Sequence, residues 1–148
     1  MTGDGAGRAE LATPADRAAL LALRHRVFVE EQGVPVDLEQ DELDEAAVHA
    51  VARGGDGRVL GTGRMVVGPA GSARIGRMAV AGHARGSGVG AALLTVLEAA
   101  AASAGCHRVT LHAQVQAIGF YHRAGYEQDG DVFDDAGIPH VAMWKALS

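Results

Sequence analysis

A run of six residues, Arg85-Gly86-Ser87-Gly88-Val89-Gly90, constrains this chain more than any other. It separates two segments of different pattern. Ahead of it lies Ile75-Gly76-Arg77-Met78-Ala79-Val80, a short apolar run of strand type. Behind it lies Ala91-Ala92-Leu93-Leu94-Thr95-Val96-Leu97-Glu98, built from helix formers. The order is strand, glycine turn, helix. The first N–H groups of a helix have no partner inside it and carry the positive end of its dipole. Glycines remove the Cβ atoms that would keep a phosphate from those groups. Arg85 adds a charge-assisted donor at the entrance. The segment reads as a cradle for a diphosphate, although a tight connection without ligand has the same local pattern.

Two familiar phosphate loops do not fit. A nucleotide triphosphatase loop ends in Gly-Lys-Ser/Thr, so that lysine reaches the outer phosphates and the hydroxyl holds magnesium. Here Gly88 is followed by Val89 and Gly90. A dinucleotide fold places Gly-x-Gly-x-x-Gly directly after its first strand. Here the glycines fall at 86, 88 and 90, past the middle of the chain.

The 148 residues are expected to form a single domain, with residues 1–7 disordered at its start. With 48% hydrophobic but only 4% aromatic residues, aliphatic side chains and alanine must fill the core. No apolar run approaches the length of a bilayer, and the N-terminus has no basic-then-apolar signal. The lone Cys106 cannot form an internal disulfide. A cytoplasmic protein without a membrane partner is the expectation. A net charge of −5 argues against nonspecific nucleic-acid binding, which depends on neutralising phosphates.

Along the chain, residues 8–11 suit an edge strand. Thr13-Pro14-Ala15-Asp16 starts a helix: Thr13 caps, Pro14 fits the first position and Asp16 meets the dipole. That helix carries Leu20, Leu21, Leu23, Val27 and Phe28 and stops near Gly33. The acidic residues 37–45 form a loop or short helix. Strands follow over 47–52, 58–67 and 73–80, the first two as a hairpin around Gly54-Gly55-Asp56-Gly57. After the glycine loop a helix runs to about residue 104. A strand over 107–113 and a short helix over 117–123 come next, and Gly125 ends that helix. Val132-Phe133 and residues 140–147 suit a closing antiparallel pair. This pattern predicts a mixed α/β (α+β) fold, a mixed sheet with helices on both faces.

Arg85, Gly88 and Gly90 match Arg-x-x-Gly-x-Gly, the pattern of the coenzyme A diphosphate loop in the GNAT acetyltransferase superfamily. Gln114, Ala117, Tyr121, Gly125 and Tyr126 fall in register with the superfamily's Asn, Ala, Tyr, Gly-Phe, with Gln for Asn and Tyr for Phe. The two motifs occur in the expected order, one strand apart. Arg24-His25-Arg26-Val27-Phe28-Val29-Glu30-Glu31-Gln32 resembles the Arg-x-x-Val-Phe-x-x-Glu-Gln of the ElaA/YjcF-like branch. Asp41, Asp44, His49, Gly76 to Val80, Ala113-Gln114 and Gly137 to His140 extend that likeness over nearly the whole chain.

The resemblance implies a mostly antiparallel central sheet, splayed in the middle, and acetyl-CoA as cosubstrate without a metal. It implies main-chain contacts of the pantetheine arm with Met78, Ala79 and Val80. The diphosphate would rest on Arg85, Gly86, Ser87, Gly88, Val89 and Gly90, with Gln114 and Tyr121 completing the cofactor site. A primary amine of a small molecule or peptide would attack the thioester directly in a ternary complex. The same loop without chemistry would give a coenzyme A-binding sensor or scaffold. Read alone, Tyr121 is a core tyrosine on an amphipathic helix; the register makes it the acid that protonates the leaving thiolate. Glu31 and His140 are candidate bases, among a wider set of Glu30, Asp41, Asp44, His49 and His112. Asp37, Asp41 and Asp44 lack the ligand order and glycine of a calcium loop. They are read as an acidic surface, or as a rim attracting a cationic acceptor. Arg64 is expected to be solvated or salt-bridged, and Cys106 to be idle. By analogy a homodimer can pair through an exposed edge of the C-terminal strands.

Overall fold

The computed structural model describes residues 8–148; the expected disordered segment 1–7 lies outside them. The chain runs β1 (Arg8–Leu11), α1 (Arg17–Arg24), α2 (Val36–Glu39), α3 (Leu43–Ala46), β2 (Val48–Arg53), β3 (Val59–Val67) and β4 (Ser72–Val80). It continues through α4 (Val89–Ser103), β5 (Arg108–Gln114), α5 (Ile118–Arg123), β6 (Glu127–Asp135) and β7 (Ile138–Ala146). The strands make one seven-stranded sheet in the order β1-β2-β3-β4-β5-β7-β6. Only β4 and β5 run parallel; every other neighbouring pair is antiparallel.

The entry to α1 is built as its residues predict. The Thr13 amide donates to the Asp16 carboxylate at 2.9 Å, and Arg53 of β2 reaches the same carboxylate at 2.9 Å. The start of the helix is thereby tied to the sheet. Leu20, Leu23, Arg24 and Val27 are buried and share one face at helical spacing. The helix does not continue uniformly. His25–Glu31 widens into a π-helix, a form that occurs often at functional sites.

Helices cover both faces. On one side α4 packs on the sheet through Val89, Leu93, Leu94 and Leu97, against Ala50, Ala52, Met65, Ile75, Val109 and Leu111. On the other, Leu23 and Val27 pack on Ala79 and Ala81.

Two irregularities shape the middle of the sheet. First, β4 and β5 are in register only where Ser72, Ala73 and Arg74 meet Arg108, Val109 and Thr110. Beyond them the strands part, leaving Ile75–Val80 and Leu111–Gln114 without each other. This is the splay implied by the resemblance. Second, β4 carries one extra residue: Thr62 pairs with Ala79 and Arg64 with Gly76, so Arg77 and Met78 together oppose Gly63. Such a bulge reverses the alternation of a strand. Ala73 and Ile75, then Met78 and Val80, face α4, whereas Ala79 and Ala81 face α1.

The outer edges are β1, four residues long, and β6. Strand β6 runs well beyond Val132-Phe133 and breaks register between Asp129 and Phe133. It bears Glu127, Asp129, Asp131, Asp134 and Asp135 in nine exposed or half-exposed residues.

Candidate active site

The site is assembled around the gap between β4 and β5. The Ala81 amide donates to the Leu60 carbonyl on β3 at 2.8 Å, and Arg85 Nε donates to the Val80 carbonyl at 3.0 Å. Main-chain groups alternate in direction along a strand. Ala79 and Ala81 therefore turn to β3, while Met78 and Val80 turn to the gap. Without the extra residue Met78 would share the direction of Gly76, towards β3. The bulge is what opens these amides. It requires a left-handed Arg77, with φ of 53°, a conformation that disfavours a residue with a Cβ by roughly 1–2 kcal/mol.

Past β4, a 3₁₀ turn at Gly82–Ala84 leads to the glycine loop. Gly86 and Gly88 have φ of 81° and 88°, and no atom lies within 4 Å of where their Cβ atoms would stand. Gly88 caps α4, whose 15 residues begin at Val89. The loop thus presents a helix N-terminus in open space, as its sequence predicts. Gly90 has another reason to be glycine: a Cβ there would stand 3.1 Å from Phe120 Cζ, so the residue admits α5 against α4. The Ser87 hydroxyl donates to the Ala84 carbonyl.

The π-helix end spans the gap. Glu31 accepts from Arg85 Nη2 at 2.7 Å, and Gln32 accepts from Gln114 Nε2 at 2.9 Å on the β5 side. Glu31 and Arg85, expected in separate roles, are therefore partners in this structure. Gln32 was not singled out as a site residue, although it closes the Arg-x-x-Val-Phe-x-x-Glu-Gln motif; its contact with Gln114 is what brings it to the gap.

On β5 and β7, Val109, Leu111, Ala113, Val141 and Met143 belong to the α4-facing core. Their neighbours His112, Gln114 and His140 must then face the α1 side, and Gln114 stands directly opposite His140. His140 Nδ1 lies 2.7 Å from the Ile138 carbonyl. A carbonyl only accepts, so Nδ1 carries a proton and the lone pair of the neutral ring is at Nε2. His112 contacts Arg74 at 2.7 Å and meets Phe133 edge-on, with ring centroids 4.8 Å apart. Burial first, and then the Arg74 charge, lower its pKa from the ordinary histidine value.

Tyr121 lies on the α4 side with Tyr126 and Phe120 against its ring. Burial pushes its phenol up to about 12, so the proton is retained at neutral pH. Among the described residues its hydroxyl has no hydrogen-bond partner. Tyr126 differs: its hydroxyl is engaged by Glu98 at 2.8 Å. Cys106 is buried, its thiol directed at the Ser72 carbonyl.

The acidic stretch corrects an expectation. Glu39, Asp41 and Asp44 do not form a free acidic rim; they are neutralised by Arg24, Arg64 and Arg77. Arg24, 1% exposed, pairs with Glu39 at 2.6 Å and Asp44 at 2.7 Å. Arg64 binds Asp41 and Asp44 at 2.7 and 2.8 Å. Arg77 reaches Asp41 at 3.2 Å. Burial would raise the Asp44 carboxyl, but hydrogen bonds from Arg24 and Arg64 outweigh it and hold the group well below the usual range. Asp41 is lowered in the same way, chiefly by Arg64. His49 is buried and hydrogen-bonds the Asp44 carbonyl at 3.1 Å, on the network rather than at the gap. Of the carboxylates in this stretch, Asp37, Glu42 and Glu45 remain exposed.

A sheet opened after its fourth strand, with bulge-turned amides leading into a glycine-capped helix, defines an acyltransferase of the acetyltransferase type. The chain belongs to the GNAT family: the acetyltransferase (GNAT) domain matches it over residues 10–147. It is 40% identical over 124 residues to the uncharacterized N-acetyltransferase YjcF of Bacillus subtilis, covering 83% of this chain and 87% of that one. An acyl-CoA N-acyltransferase from Pseudomonas aeruginosa superposes with a TM-score of 0.80 at 33% identity, over 93% and 97% of the two chains. Escherichia coli ElaA superposes at 0.79 with 26% identity, also over 93% and 97%. These likenesses place the chain in the ElaA/YjcF-like branch. Among the described residues no helix is long and apolar enough to cross a membrane.

Proposed function

We propose that this protein transfers an acetyl group from acetyl-CoA to a primary amine of a small molecule or peptide, by direct attack within a ternary complex. The observation that carries the reading is the pair of main-chain groups at Met78 and Val80, turned into a gap that ends at the α4 N-terminus. An acyl thioester with a pantetheine arm and a diphosphate has the matching parts. The amides of Gly86 to Gly90, with Arg85 and Ser87, receive the diphosphate. The strand from Met78 through Ala79 to Val80 pairs with the amide-bearing arm, and an amide there polarises the thioester carbonyl. Gln114 borders the arm from β5.

The chemistry then needs a base and an acid. His140 is the better supported base, because its Nε2 lone pair is left free by the bond at Nδ1. Glu31 already serves Arg85, and its part lies in admitting the diphosphate. Tyr121 supplies the acid: a protonated, unpartnered phenol can donate to the departing thiolate. Neutralisation of Asp41 and Asp44 removes the basis for preferring a cationic acceptor. Cytoplasmic residence belongs to the same proposal, and so does pairing of two copies, but not through β6, whose edge carries five carboxylates.

Thermal unfolding with excess acetyl-CoA tests it, with ATP and NAD as controls. Acetyl-CoA at about a hundred times its Kd should add roughly 2.7 kcal/mol. Turnover with a panel of amines should follow, and Tyr121→Phe should lower it by about 10²–10⁴ while keeping cofactor affinity. Binding without turnover, unaffected by Tyr121→Phe, would identify a coenzyme A sensor or scaffold instead. No stabilisation by acetyl-CoA, or equal stabilisation by ATP, would overturn the acyltransferase reading.

A further inference from the structure

Arg77 stands where glycine is the unstrained residue. Its φ is 53°, inside a two-residue bulge opposite Gly63. A left-handed residue with a Cβ persists only where its surroundings over-determine it. Here the side chain does so. Arg77 Nε donates to the Glu39 carbonyl at 2.9 Å; Nη2 donates to the Leu38 carbonyl at 3.1 Å and to the Asp41 carboxylate at 3.2 Å. Asp41 in turn accepts from both terminal nitrogens of Arg64, at 2.7 and 3.0 Å. Arg64 lies on β3 opposite Gly76, the residue just before the bulge. One carboxylate is therefore gripped from both strands that form the irregularity.

We propose that Arg77, with Asp41 as its shared anchor, is a positioning residue that holds the bulge and so keeps the Met78 and Val80 amides turned into the gap. This inference rests on the acyltransferase reading above. Arg77 does not touch the reacting thioester; it acts through the main chain that follows it. If the extra residue is released, the alternation returns to that of Gly76 and the Met78 amide swings to β3. The same clamp ties these amides to α2 and to the segment before α3.

Acetyl-CoA labelled with carbon-13 at the thioester carbonyl provides the test, because its bound chemical shift reports the hydrogen bond to that oxygen. The wild type should bind it and displace the carbonyl resonance from the free value. Arg77→Ala should bind within a few-fold of wild type by calorimetry yet lose most of that displacement. Turnover should fall about a hundredfold, as when one oxyanion donor is lost. Arg77→Gly, which adopts the left-handed angle without strain, should recover part of both. Should the alanine variant not fold, Asp41→Asn carries the same readout and should lose part of the displacement. An unchanged carbonyl shift in folded Arg77→Ala or Asp41→Asn overturns the positioning role and leaves the acyltransferase reading intact. Failure of the wild type to bind labelled acetyl-CoA overturns the reading itself.

Discussion

Replacing Asp44 with alanine should destabilise the protein by about 3 kcal/mol, the lower end of the range for breaking a buried ion pair. Asp44 is 6% exposed and accepts from Arg24 at 2.7 and 3.1 Å, from Arg64 at 2.8 Å and from the Asp41 amide at 3.3 Å. Its removal leaves two buried guanidinium groups short of partners. Neither is abandoned, which sets the magnitude. Arg24 keeps the Glu39 carboxylate at 2.6 Å and the Glu39 carbonyl at 2.9 Å. Arg64 keeps both oxygens of Asp41, at 2.7 and 3.0 Å. For a chain of this size each kcal/mol moves the midpoint by roughly 2–4 °C, so Tm should fall by about 6–12 °C. Urea unfolding measures the free energy, with an unchanged m-value showing that the unfolded state has not shifted. Asp37→Ala, in the same acidic run but exposed, is the control and should stay within about 0.5 kcal/mol of wild type. An Asp44→Ala variant losing less than about 1 kcal/mol, the scale of a surface pair, would refute the view that these carboxylates are structural.

The low carboxyl pKa values set an acid limit. Asp41 and Asp44 have folded values below their ordinary 3.8, so the unfolded chain binds more protons across that window. Their stabilisation is complete above the unfolded value and is lost as pH falls through the depressed ones. The urea midpoint should drop from pH 6 to pH 3, and drop less in Asp44→Ala; parallel drops would count against the assignment. Glu31→Gln should free Arg85 and tighten acetyl-CoA binding at low salt. The pair is half exposed and worth at most about 1 kcal/mol, which caps the gain at roughly fivefold; equal affinities by calorimetry would reject the contact as a competitor for the diphosphate. Gly88→Ala forces a Cβ into a left-handed position and should cost about 1–2 kcal/mol along with weaker acetyl-CoA binding. Unchanged Tm and Kd would show that the cap tolerates it.

What the sequence disclosed and what it concealed divide along contact distance. The glycine cap, the strand before it and the helix after it are local, and nearest-neighbour chemistry specifies them. The register from Gln114 to Tyr126 is local as well. The bulge was hidden because Arg77 is not glycine: its left-handed angle is enforced by groups 36 to 39 residues away. The neutral network was hidden for the same reason, since Asp37 and Asp44 look alike until Arg24 and Arg64 arrive. One clue was available. Arg24 falls on the apolar face with Leu20, Leu23 and Val27, and a guanidinium buried there requires carboxylates. The nearest supply downstream is the stretch from 37 to 45. The π-helix left no mark in the periodicity, because its apolar residues still read as an ordinary helix.

The outer edge at β6 governs how the molecule treats its own copies. Among the described residues, five carboxylates and a register break lie along a strand whose far side is unpaired. A second molecule adding its β6 there would bring like charges face to face and meet a kinked ladder. That edge resists fibrillar stacking at low ionic strength, when the repulsion is least screened. Concentrated salt or acid, each muting the same charges, should weaken that protection and favour association through β6.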